Sequence, residues 1–136
     1  MIGDKIASCA LEYVGTPYIH QGRKKGVGVD CAGLIVCVLQ DLGLYQGGDI
    51  TDYTMNPDGF LLQHTLDKHL KKVNKEELQN GDILLFKFLN NPQHLAFYIS
   101  DDYMVHSYND LEYKVIYHRL DSKWLKRLVA VYRVEE

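Results

Sequence analysis

Cys31 follows Gly26-Val27-Gly28-Val29-Asp30 and opens the apolar run Ala32-Gly33-Leu34-Ile35-Val36. Two glycines loosen the approach, and Asp30 stands where a helix cap belongs. A thiol attacks only as thiolate. A helix N-terminus offers unpaired N–H groups and a partial positive charge that favour that anion. An unperturbed cysteine, with a pKa of about 8.5, is only a few per cent ionised at neutral pH, and a depression of roughly two units would make it mostly thiolate. The same N–H groups can hold the oxyanion of a tetrahedral intermediate. Taken alone, a buried structural cysteine fits this run better than a nucleophile does. The nucleophile reading therefore needs a base.

Six histidines are available. His94 begins an alternating segment just after Asn90-Asn91-Pro92, and His106 lies twelve residues later on the next such segment. His64 and His69 fall in a helical stretch, His20 in a glycine-rich loop, and His118 at the end of a strand, each with a weaker claim. For any single histidine a non-catalytic place is the commoner one. Strand geometry supplies a test of cooperation, because side chains alternate faces. A two-residue loop at Asp101-Asp102 would pair Ser100 with Tyr103 and put His94 and His106 on opposite faces. An odd loop, Ser100-Asp101-Asp102, pairs Ile99 with Tyr103 and puts both on one face. Ala96 then opposes His106, and His94 becomes its diagonal neighbour at roughly 7–8 Å. The odd loop is the expectation. In that arrangement Cys31 attacks a carbonyl, His94 takes the thiol proton and returns it to the leaving amine, and His106 orients His94. Asp30 opposes this chemistry, since a carboxylate beside a thiol raises its pKa; its useful roles are capping the helix or binding a cationic group of substrate.

These residues must be held by a chain of 136 residues, which predicts one domain over residues 1–136. Its hydrophobic content of 46% and charged content of 24% are those of a globular protein. The net charge of −3, without a basic block, carries no nucleic-acid footprint. No apolar run is long enough for a membrane helix, and the first residues lack the apolar core of a signal peptide. Cys9, Cys31 and Cys37 form neither a CxxC pair nor an even disulfide set. No HExxH occurs, and no metal or cofactor is expected.

Helices come first. Ile6, Ala7, Ala10, Leu11 and Val14 recur at helical spacing over residues 4–14, and Thr16-Pro17 ends that helix. Cys9 lies beside this stripe and Cys37 inside the next helix, both as core. Residues 18–28 read as a loop with a solvated charge cluster. A second helix is predicted over residues 31–42, stopped by Gly43 and apolar nearly all round, hence central. An irregular segment bracketed by Gln46-Gly47-Gly48-Asp49 and Asn56-Pro57-Asp58-Gly59 leads to a third helix with Phe60, Leu62, Leu66, Leu70 and Val73 on one face. After Asn80-Gly81-Asp82 the pattern turns to strands over residues 83–89, 94–100, 103–108, 113–118 and 128–134. The expectation is an α+β fold, N-terminal helices packed on a five-stranded antiparallel sheet.

The motifs together resemble the NlpC-type cell-wall peptidases, a papain-like family of cysteine hydrolases. Gly15-Thr16-Pro17-Tyr18 with Gly28-Val29-Asp30-Cys31-Ala32-Gly33-Leu34-Ile35 is similar to its nucleophile segment. Gly81-Asp82-Ile83-Leu84-Leu85-Phe86, His94-Leu95-Ala96-Phe97-Tyr98-Ile99 and Val105-His106 resemble the strand before the base, the base motif and the third polar residue. Residues 127–134 resemble the closing strand, so the resemblance spans nearly the whole chain. It implies a papain-like fold with Cys31, His94 and His106 as catalytic residues. It also implies that Tyr18 and Asp30 hold the free amine of a stem peptide in peptidoglycan. The implied reaction is hydrolysis of a stem-peptide amide, often between γ-D-glutamate and a diamino acid. His20-Gln21-Gly22 replaces the usual Trp-Gly-Gly, Ala32 the frequent Ser, and Ala96 the common Gly. These departures resemble the phage-type subgroup. With the missing signal peptide, they suggest a phage tail component, made in the cytoplasm and carried to the wall in a virion. Two other classes fit the same residues: a tail or assembly protein with little turnover, and a thiol amidase or acyltransferase acting off the wall.

Overall fold

A computed structural model of the chain describes residues 2–45, 60–88, 91–108 and 112–135, and within these not the side chains of residues 60–62, 64, 91 and 92. Both ends of the irregular segment predicted around residues 46–59 lie outside the described residues, as do the side chains of Phe60 and Leu62.

The first helix, α1 (Ile2–Leu11), buries Ile6, Ala7, Cys9 and Ala10. Thr16-Pro17 does not simply break the chain. Gly15 turns it with φ of 94°, a conformation open to glycine, and residues 15–18 then run beside a later strand, β7 (Lys114–Arg119). Gly15 N–H donates to the Val115 carbonyl (2.9 Å), Val115 N–H to that of Thr16 (2.8 Å), and Tyr18 N–H to that of Tyr113 (2.8 Å). The predicted loop over residues 18–28 contains a small hairpin, β1 (Arg23–Lys24) and β2 (Gly28–Val29). Val29 N–H donates to the Pro17 carbonyl at 3.0 Å, which clamps the approach to Cys31 onto the segment carrying Tyr18.

The central helix, α2 (Cys31–Asp41), buries Gly33, Leu34, Ile35, Cys37, Val38 and Leu39, as its apolar circumference requires. Gly43 closes it at φ of 70°. The third helix, α3 (Phe60–His69), is shorter than predicted. Its last turn gives way to a strand, β3 (Lys71–Val73), which pairs with the C-terminal strand β8 (Leu128–Arg133). The remaining strands are β4 (Ile83–Phe88), β5 (Asn91–Ile99) and β6 (Tyr103–Tyr108), with a short helix α4 (Ser122–Leu125) between β7 and β8. The antiparallel sheet therefore has six strands in the order β3-β8-β4-β5-β6-β7, one edge strand more than predicted.

Alternation sorts the side chains into two layers. Ile83, Leu85, Leu95, Phe97, Ile99, Val105, Val115, Ala130 and Tyr132 pack with α1 and α2 in the main core. Leu84, Phe86, Ala96, Tyr98, Met104 and Val131 turn to the other side, under Leu120 and Trp124. Each fully buried aliphatic or aromatic side chain contributes roughly 1.5–3 kcal/mol before entropy is charged against it. This two-sided burial makes the sheet a rigid platform for its polar residues. His94 and His106, at 4% and 0% exposure, belong to the Trp124 side.

Candidate active site

The segment leading into Cys31 is fixed by its cap. Asp30 has extended backbone (φ −93°, ψ −171°), and one carboxylate oxygen accepts from Gly33 N–H at 2.7 Å. The other accepts from Gln21 N–H at 2.7 Å, and the Arg23 guanidinium donates to the first at 3.1 Å. Gly33 has to be glycine, because a Cβ there would run into the Gly22 carbonyl oxygen. Asp30, only 2% exposed, is thus a cap and an ion-pair partner at once.

Cys31 begins α2 half-buried, with its thiol directed to the Gln93 carbonyl oxygen at 3.9 Å. The Leu95 and Ala32 N–H groups bond the sulfur and favour the thiolate. They are outweighed: burial, and then the charge of Asp30, push the thiol up to about 12. The depressed pKa expected from a helix N-terminus is therefore corrected. Desolvation of the anion exceeds the stabilisation that two N–H groups and the helix end supply. Cys31 rests as a neutral thiol, held against the backbone on both sides of His94.

The predicted odd loop is present. Ile99 pairs with Tyr103, Tyr98 with Met104 and Phe97 with Val105. His94 and His106 accordingly share a face, and His94 Nε2 lies 2.6 Å from His106 Nδ1. That bond leaves Nδ1 as the one ring nitrogen of His94 able to serve as a base. The His94 ring lies among Phe86, Phe88, Tyr108 and Trp124, at centroid distances of 6.2, 5.6, 5.1 and 5.7 Å. Burial in this aromatic box, with the Arg127 charge beside it, lowers its pKa to about 3. His106 is lowered by burial and then by His94. Both imidazoles are neutral at physiological pH.

Tyr18 stands edge-on to Tyr113, with ring centroids 5.7 Å apart. Burial, followed by the charges of Cys31 and Asp30, raises its hydroxyl pKa, and the Val29 N–H bond to the Pro17 carbonyl holds the Tyr18 segment beside the start of α2. The structure thus gathers the five residues singled out in the sequence into two adjoining groups. Tyr18, Asp30 and Cys31 form one, His94 and His106 the other, and the Cys31 thiol meets the β5 backbone between them.

Three residues at the site lacked a strong sequence signal. His118 Nε2 lies 2.7 Å from His106 Nε2. Its position repeats the twelve-residue interval between His94 and His106, which was the one available clue. Trp124, capped into place by Asp121, contacts all three imidazoles. Arg127 lies 5.1 Å over both Phe88 and Trp124 and contributes the positive charge felt by His94.

A profile of the NlpC/P60 family matches residues 15–133. A relative from Haemophilus influenzae, described as a probable endopeptidase, is 27% identical over 143 residues, covering 98% of this chain and 79% of the relative. A crystal structure of an NlpC/P60 family protein from Bacillus cereus superposes with a TM-score of 0.72 at 25% identity, covering 97% of this chain and 40% of that one. A Staphylococcus aureus protein described as similar to a lipoprotein of the NLP/P60 family superposes with the same TM-score of 0.72 at 24% identity, covering 98% of this chain and 41% of the other. The chain spans about two-fifths of the length of these two solved proteins. The mixed α+β architecture, with N-terminal helices packed on an antiparallel sheet, is shared with them. From its family match and its fold together, this chain belongs to the NlpC/P60 family.

Proposed function

We propose that this chain is a cysteine endopeptidase hydrolysing amide bonds in peptidoglycan stem peptides, of the γ-D-glutamyl–diamino acid type. Membership of the NlpC/P60 family supports the coarse part, a cysteine peptidase acting on the cell wall. The observation that carries the assignment of the catalytic residues is the position of the Cys31 thiol against Gln93, directly before a His94 whose Nε2 is already engaged by His106; the bond type rests on the resemblance of the motifs.

With thiol and imidazole both neutral, attack and proton transfer are coupled. Cys31 Sγ bonds to the scissile carbonyl carbon as its proton passes to His94, and the imidazolium so formed is held by His106. Backbone N–H groups at the start of α2 are the available donors for the oxyanion. His94 then protonates the leaving amine, the C–N bond breaks, and water hydrolyses the thioester with His94 again as base. Tyr18 and Asp30 bind the free amine of the stem peptide at the Cys31 side.

Mass spectrometry of soluble fragments released from purified peptidoglycan tests this reading, using the wild type and Cys31→Ala. Fragments with new termini from the wild type alone are expected, and those termini identify the bond. Release by neither protein from several wall types would overturn the endopeptidase reading.

A further inference from the structure

The His94–His106 bond leaves the direction of its proton undetermined, because each nitrogen can donate or accept. The direction decides the chemistry. If His94 Nε2 carries the proton, Nδ1 is a free lone pair and can act as a base. If His106 donates instead, a neutral His94 must carry its proton on Nδ1 and cannot take another there.

The chain of imidazoles does not end at His106. His106 Nε2 meets His118 Nε2 at 2.7 Å, and His118 Nδ1 lies 2.8 Å from the Arg119 carbonyl oxygen. A carbonyl oxygen only accepts, so His118 Nδ1 carries a proton. In a neutral His118, Nε2 is then an acceptor, and His106 Nε2–H donates to it. His106 Nδ1 is left as an acceptor, so His94 Nε2–H donates in turn. One backbone carbonyl therefore sets three tautomers, and the last lone pair in the series is His94 Nδ1.

The sheet builds this series by register. On the β6–β7 ladder Met104 pairs with His118 and His106 with Ile116. His118 is thus the diagonal neighbour of His106, as His94 is on the other side. Trp124 packs on all three rings, with centroids 5.7, 5.0 and 6.1 Å away.

We infer that His118 is a positioning residue for the reaction, a fourth member that polarises the His94–His106 pair from the Arg119 carbonyl so that His94 presents its Nδ1 lone pair. Resting on the proposed peptidase function, the inference adds to it the residue that selects the active tautomer of the base.

The test joins imidazole 15N NMR of histidine-labelled full-length protein with steady-state kinetics on peptidoglycan fragments. In the wild type, His118 is expected to carry its proton on Nδ1, and His106 and His94 on Nε2. His118→Leu removes the acceptor. It should lower kcat by roughly 10²-fold, change KM by less than about twofold, and return His94 to a mixture of tautomers. His118→Gln places an amide oxygen near the same spot and should recover most of that loss. A wild-type His94 protonated on Nδ1, or equal losses in folded His118→Leu and His118→Gln, would overturn the inference. Should His118→Leu fail to fold, the wild-type tautomers alone decide. The NMR result does not depend on turnover, so an inactive wild type would count against the peptidase reading and leave the relay to be judged by its own spectrum.

Discussion

The Ser107 hydroxyl donates to the Val29 carbonyl oxygen at 2.6 Å, joining residues 78 positions apart in the chain. Ser107 is fully buried and follows His106 on β6, so its side chain points to the opposite face of the sheet. One strand thus carries His106, the partner of His94, on one side and grips the approach to Cys31 with the other. The position of the segment before Cys31 relative to His106 is set from one strand.

Ser107→Ala should accordingly separate two effects. Loss of one buried hydrogen bond costs about 0.5–1.5 kcal/mol of stability, since the Val29 carbonyl keeps its 3.4 Å bond from Ile19 N–H. Catalysis should suffer beyond that, by about tenfold in kcat, because loosening of the Val29 segment misplaces the thiol. Chemical denaturation and kinetics on the same preparation check this. Unchanged kcat in a variant with lowered stability would show that the clasp serves folding alone.

The acid side of the stability curve follows from the two buried imidazoles. His94 is lowered to about 3, and His106 is lowered as well. An unfolded chain takes up protons on these residues near the ordinary value of about 6.5. Their neutral, buried forms therefore favour the folded state fully above that value. The contribution is lost as pH falls from about 6.5 toward the folded value near 3, because only the unfolded chain binds the protons. Urea midpoints measured from pH 8 down to pH 4 should fall, and the fall should shrink in His94→Gln. Over the same range kcat/KM should show no loss from protonation of His94 until well below pH 6.

The sequence made the His94–His106 pair legible because strand parity reduces the question to loop length, and Ile99↔Tyr103 is the register that an odd loop demands. It did not disclose β3. Lys71 and Lys72 are exposed, and pairing to Arg133 and Tyr132 some sixty residues away supplies what local composition cannot. His118 was hidden for a related reason: its partner is decided by the β6–β7 register, and the connection between those strands carries no turn signal that fixes parity. The direction of the Cys31 shift was missed on different grounds. A helix N-terminus is visible in a sequence, whereas the desolvation that overrides it arises only when α2 is seated on β5.

Asp30 links capping to reactivity. Its charge is the second cause of the raised Cys31 pKa, and its oxygens accept from Gly33, Gln21 and Arg23. Asp30→Asn keeps one acceptor oxygen for the helix cap and removes the charge. The thiol pKa should fall below about 12, while stability drops by about 1–2 kcal/mol through weakened capping and the loss of the Arg23 pair. Thiolate absorbance near 240 nm, followed against pH in a variant with Cys9 and Cys37 replaced by Ala, reads the first effect. Thermal denaturation reads the second. A thiol pKa that stays put would remove Asp30 from the electrostatics of the nucleophile.

Far from the site, Asp82 and Arg133 pin the start of β4 to the end of β8. Arg133 bonds both carboxylate oxygens, at 2.9 and 2.8 Å, and Asp82 is 2% exposed. Arg133→Met should be severely destabilising, by about 3–5 kcal/mol, because it leaves an uncompensated buried carboxylate. The paired change Asp82→Asn with Arg133→Met should recover much of the loss, since the charge goes with its partner. Denaturant unfolding of the two single variants and the double variant completes that cycle. Additive losses would mean that the pair is not coupled.

The three cysteines finally give a direct view of the resting state of Cys31. Cys9 and Cys37 are buried, and Cys31 is half-buried at the start of α2. In the native protein iodoacetamide should therefore reach Cys31 first, with the other two labelled only on unfolding. Cys9 is raised to about 11 by burial and then by the Asp41 charge, no higher than Cys31, so access and not acidity sets the order of labelling. Access alone does not give speed, because the alkylating species is the thiolate. With the Cys31 thiol pushed up to about 12 and His94 down to about 3, no preformed thiolate–imidazolium pair is present near neutrality. The rate at Cys31 should keep climbing between pH 7 and pH 10. A flat rate across that range would show the preformed ion pair and would replace coupled proton transfer with attack by a standing thiolate. Site-resolved mass spectrometry of brief labelling pulses distinguishes the two.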